Sequence, residues 1–99
     1  MTIEGTWDLT IASPVGAQYA SLEIVSADGS FEGVAKTSQE ELVLKNLVVN
    51  HDHVSWSVSI TRPLRLNVAF DVTIDGDQMI GHSRVGVFPR SGVVGRRKI

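Results

Sequence analysis

The stretch "LRLNVAFDVTI", residues 64–74, sorts its side chains into two sets. Leu64, Leu66, Val68, Phe70, Val72 and Ile74 fall on one side, and Arg65, Asn67, Ala69, Asp71 and Thr73 on the other. Successive side chains of a strand point to opposite faces, so this segment reads as a β-strand with one buried face. The run "VSWSVSIT", residues 54–61, repeats the pattern with Val54, Trp56, Val58 and Ile60 inward and hydroxyls outward. Trp7, Leu9 and Ile11 repeat it again near the start. No window carries the three-to-four-residue apolar spacing of an amphipathic helix. The chain is all-β.

Turn residues punctuate the strands. Asp28-Gly29 and Asp75-Gly76 are hairpin signals, because glycine supplies the positive φ of a tight turn. Asn50-His51-Asp52-His53 falls midway between them and reads as a third turn. Eight strands are predicted, near residues 5–12, 17–26, 31–37, 41–50, 54–61, 64–74, 78–86 and 91–98. The inward set of the fourth switches from Leu42 and Leu44 to Leu47 and Val49 around Asn46, as a bulge or bend would require. Arg62-Pro63 separates the fifth from the sixth, since proline cannot donate to a ladder.

Short consecutive hairpins favour an eight-stranded antiparallel up-and-down β-barrel over a sandwich, which needs a long crossing connection. Closure also removes exposed strand edges. The 99 residues make a single barrel domain, 1–99. With 42% hydrophobic and 20% charged residues and a net charge of −2, the composition gives no basis for nucleic-acid binding. No stretch has the length of a membrane helix, and the first residues carry neither a positive leader nor an apolar segment. The expectation is a cytoplasmic protein with no membrane or nucleic-acid partner. The chain has no cysteine and hence no disulfide or thiolate chemistry.

The two ends carry a resemblance. "GTW" at residues 5–7, the later "ADGSFEG" and "VSWSVSI", and the closing "VVGRRK" resemble the calycin superfamily, and within it the streptavidin and avidin branch. That resemblance implies a streptavidin-like or lipocalin-like barrel in which an Arg of the last strand covers the first-strand Trp. Arg97, or else Arg96, is the match to Trp7. The biotin-contacting pattern is not retained. Leu9, Ala35, Thr37, Ile60 and Arg97 stand where the branch has polar, hydroxyl, aromatic and acidic residues. Aliphatic groups cannot replace hydrogen-bond partners that read a polar head group.

With Trp7 and Arg97 closing the terminus-bearing end, a mouth is expected opposite, past Pro14, Arg62 and Arg90. An eight-stranded barrel is just wide enough to be filled by side chains or to hold one small ligand. The leading expectation is a small apolar or amphipathic ligand in a lumen lined by Trp7, Leu9, Ile11, Trp56, Val58, Ile60, Val68 and Phe70. Tyr19 and His82 are candidate polar groups of the lumen, although the pattern leaves open which face of the seventh strand points inward. His51-Asp52-His53 lacks the ligand count of a metal site and reads as a turn. No nucleophile elbow, phosphate loop or zinc motif is present, so no catalytic residue, metal or cofactor is assigned. Two alternatives stand beside the ligand carrier. One is a cyclase or isomerase like the allene oxide cyclase barrels, acting by positioning. The other is a filled barrel that presents its outside. A homodimer is expected in either case, through an outer face such as Val43, Lys45, Leu47 and Val49 or the serines of the fifth strand.

Overall fold

A computed structural model describes residues 3–13, 16–61 and 65–98. Within them, nine antiparallel strands form one sheet. They are β1 (Gly5–Ser13), β2 (Gly16–Ala27), β3 (Ser30–Lys36), β4 (Glu41–Val43), β5 (Lys45–Asn50), β6 (His53–Ile60), β7 (Leu66–Asp75), β8 (Gln78–Val85) and β9 (Ser91–Arg97). Their order, β4-β3-β2-β1-β9-β8-β7-β6-β5, is an up-and-down meander whose first and last strands meet at β1 and β9.

The expected fourth strand is two strands, which corrects the count from eight to nine. β4 pairs with β3, and after Leu44 the chain changes partner and pairs with β6 as β5. The cause is local. Asn46 adopts a left-handed φ of 53°, and the β5–β6 register shifts between Lys45 and Val48. Asn tolerates that conformation better than most residues because its short side chain can hydrogen-bond locally. Lys45 and Asn46 are therefore consecutive exposed residues, and Leu47 and Val49 turn back to pack on the core. This also corrects the outer face proposed for Val43, Lys45, Leu47 and Val49, since only its first two members are exposed.

The bend brings the two ends of the sheet together, giving a nearly closed barrel. Leu44 donates its N–H to the Gly33 carbonyl at 2.9 Å. The Glu40 carboxylate accepts from the Thr61 N–H at 3.0 Å and from its hydroxyl at 2.7 Å. Lys45 Nζ donates to Ser59 Oγ at 2.9 Å. The Leu44 bond continues the β3–β4 register and the Lys45 bond lies within the β5–β6 pair, while the Glu40–Thr61 contacts bridge the seam between the β4 side and the end of β6.

The turns behave as the sequence predicts. Asp28, Gly29, His51 and Gly76 all have positive φ, closing hairpins of two residues each at the end that carries the termini. The inward faces fill the barrel: Trp7, Leu22, Val54 and Met79 have no accessible surface, and Ile24, Val72 and Val93 have 1%. Burying a side chain of this size stabilises the fold by about 1.5–3 kcal/mol. Gly81 faces inward where β8 crosses β7, and a Cβ there would collide with the Asp71 carbonyl and the Val72 backbone.

Candidate functional site

At the terminus-bearing end, the last-strand Arg97 lies over the first-strand Trp7. The Arg97 guanidinium lies 4.3 Å from the centroid of the Trp7 ring. Its Nη1 donates to the Glu4 carbonyl, and its Nε donates to Asp77 at 3.0 Å. Trp7 Nε1 donates to the Ile3 carbonyl at 2.9 Å. A fully buried indole is thereby satisfied without water.

Of the residues assigned to the lumen, Trp7, Leu9, Trp56, Val58, Val68 and Phe70 are buried, and Ile11 and Ile60 are half-buried. Trp56 and Phe70 stack with centroids 5.1 Å apart and planes 12° from parallel. A guest needs wall surface that is accessible in its absence, and these walls offer little. Accessible apolar surface increases toward the opposite end, where Ile11, Ile60 and Val85 are half-buried and Leu66 is 39% exposed. Of the mouth residues, Pro14 and Arg62 lie outside the described residues, and Arg90 is exposed.

Tyr19 and His82 are corrected from lumen to outer face. Tyr19 is 72% exposed. In β8 the register pairs Phe70 with Ser83, Val72 with Gly81 and Ile74 with Met79, all inward. His82 and Arg84 therefore alternate outward.

That outward placement brings His82 and Arg84 into a groove on the outside of the barrel. The outer face of β6–β8 carries an open groove of about 530 Å³, lined by Ser55 and Ser57 of β6, Ala69 and Asp71 of β7, and His82 and Arg84 of β8. Asn46 from the bulge and Arg90 from the β8–β9 connection complete its wall. Cross-strand register sets the positions: Ser55 lies opposite Asp71, which lies opposite His82, and Ser57 lies opposite Ala69, which lies opposite Arg84. Ala69 leaves the floor low between the serine and arginine side chains.

The electrostatics follow from the partners. Asp71 is the carboxylate lining the groove, and His53 Nε2 holds its Oδ1 diagonally across the strands. Both side chains are about half exposed, at 49% and 48%. The side chains of Arg84 and Arg90 make no hydrogen bond or ion pair among the described residues. The groove thus presents two unengaged guanidinium groups, while its one described carboxylate is already occupied. Among the described residues, no group of three His, Cys, Asp or Glu side chains is placed to hold a metal ion. Nor, among the described residues, is any helix long and apolar enough to cross a membrane.

Sequence reasoning named Arg90 and His82 but not Ser55, Ser57, Asp71, His53 or Arg84 as members of one site. The hydroxyl alternation of β6 was visible as an outer face, but its neighbours come from β7 and β8 through register. No protein-family profile matches the chain, and no curated protein or solved structure matches it significantly.

Proposed function

We propose that the protein is a binding module for a compact polar molecule bearing a carboxylate or phosphate, held in the outer groove of β6–β8. The observation that carries this reading is the pair Arg84 and Arg90, whose side chains line one groove without partners among the described residues. A guanidinium presents a planar fork of donors that matches carboxylate and phosphate oxygens in pairs. Ser55, Ser57 and Asn46 would supply neutral donors and acceptors beside them. The strand backbone there is used in the ladders, so selectivity rests on side chains. Titration of ¹⁵N-labelled protein with inorganic phosphate and with citrate tests the reading. Saturable shifts are expected at Ser57, Ala69, Arg84 and Arg90. Arg84→Gln or Arg90→Gln should each weaken binding about tenfold, or about 1.4 kcal/mol. Unmoved groove resonances at millimolar ligand would reject it.

The second reading keeps the small apolar or amphipathic ligand, placed at the open end of the barrel. The half-buried Ile11, Ile60 and Val85 beside exposed Leu66 favour it. A calycin-like ancestry, supported by the nearly closed barrel and the Arg97–Trp7 stack, would suit such a guest. Fold alone does not fix function. Titration with dodecanoate should then shift Ile60 and Val85 and leave the groove unchanged.

A further inference from the structure

We infer that the outer face of β8-β9-β1-β2 is a self-association surface that pairs with a second copy of this chain about a two-fold axis. The axis runs along the strands between β9 and β1. The inference rests on other residues than the groove reading, the two surfaces adjoining at His82 of β8.

The face is built in rows by the sheet register. Ile80 lies opposite Val94, Val94 opposite Thr10, and Thr10 opposite Tyr19. Ile80, Val94 and Tyr19 are 52%, 49% and 72% exposed, so this row is an apolar band on the outside of the barrel. On the side toward the open end the next row begins at His82 of β8 and is small across the other three strands: Gly92, Ala12 and Ala17 are exposed and in register. A convex barrel wall can approach another closely only where its side chains are short. On the other side lies a charged row, in which Arg96 of β9 stands directly opposite Asp8 of β1.

Charge placement selects the partner. A closed two-fold interface must be self-complementary, each residue meeting its counterpart reciprocally. Rotation about an axis parallel to the strands, midway between β9 and β1, exchanges the two strands while keeping each row level. Arg96 of one copy then faces Asp8 of the other, twice over. Val94 faces Thr10, and Ile80 faces Tyr19. Every charged position of the row meets its opposite, and the apolar band meets itself. An axis along the row would instead bring the charged row onto the glycine and alanines, leaving both charges without counterparts. Packing with strands nearly aligned is also the common arrangement of face-to-face sheets.

Multi-angle light scattering and sedimentation at high micromolar concentration test this. The wild-type chain is expected at twice the monomer mass. Asp8→Arg and Arg96→Asp should each be monomeric, because each places like charges face to face. An equimolar mixture of the two variants should recover the dimer, since every facing pair is then opposite in sign. That recovery cannot come from a general effect on folding. Val94→Lys, checked for a retained β-sheet circular dichroism spectrum, provides a monomeric variant that leaves the charged row intact. A monomeric wild type would overturn the inference. So would reversals and Val94→Lys that stay dimeric, or a variant mixture that stays monomeric.

Discussion

Arg97 joins the last strand to the first turn of chain and to the β7–β8 turn. Its guanidinium covers Trp7 and donates to Glu4 and Asp77. Asp77 is 70% exposed, so the ion pair is screened and contributes little. The ring contact and the carbonyl bond are the stronger terms, about 0.5–2 kcal/mol for a cation over an indole. Arg97→Ala should lower stability by about 1–3 kcal/mol in guanidinium chloride unfolding, and Arg97→Lys should restore only part, because an ammonium has no fork. Gly81→Ala tests a different constraint. With no space between β7 and β8 for a methyl group, the strands must separate, at about 1–3 kcal/mol in the same measurement. The resemblance offered Arg97, or else Arg96, as the cover of Trp7, and Arg97 is the one that lies over the ring. The facing of His82 was not legible in the sequence, because its strand mixes polar and apolar residues on both faces and only pairing with β7 decides between them.

At the scale of elements, the break at Leu44–Asn46 converts a meander into a nearly closed barrel. It lets one continuous segment pair with β3 and then with β6. Asn46→Val should cost about 1–3 kcal/mol, since a β-branched side chain is strained at a φ of 53°, whereas Asn46→Gly should be nearly neutral. Equilibrium unfolding of the two variants separates backbone strain from loss of the side chain. Glu40→Ala should speed amide exchange at Thr61, whose N–H loses its acceptor, with little effect in β8 and β9. The sequence showed the switch of apolar register around Asn46. It did not show that the strand ends there, because a change of pairing partner is invisible to a single segment.

Across the whole molecule, stability should be graded from the middle of the sheet to its seam. β7, β8, β9 and β1 each have a full ladder on both sides, while β4 contributes three residues and β5 pairs irregularly. Hydrogen exchange is therefore expected to be slowest in β7–β9 and β1, and fastest in β4 and the adjoining part of β5. Uniform protection around the barrel would contradict this gradient. The same sheet has a different chemistry in each sector of its outside. Serines, Arg84 and Arg90 surround the groove on β6–β8, and an apolar band with a charged row crosses β8-β9-β1-β2.

The sequence alone determined the all-β meander, the hairpin turns and the inward sets of β1, β6 and β7, because alternation and turn chemistry act over a few neighbouring residues. It also determined that the ends of the chain would meet, once the strands were counted into a meander that closes. The tertiary structure decided which outward side chains become neighbours. His53 and Asp71 are 18 residues apart, and Arg96 of β9 stands beside Asp8 of the adjacent β1. Such neighbours are set by strand register, where a one-residue slip moves every side chain to the other face. Register is a property of the closed sheet, and both candidate surfaces of this protein depend on it.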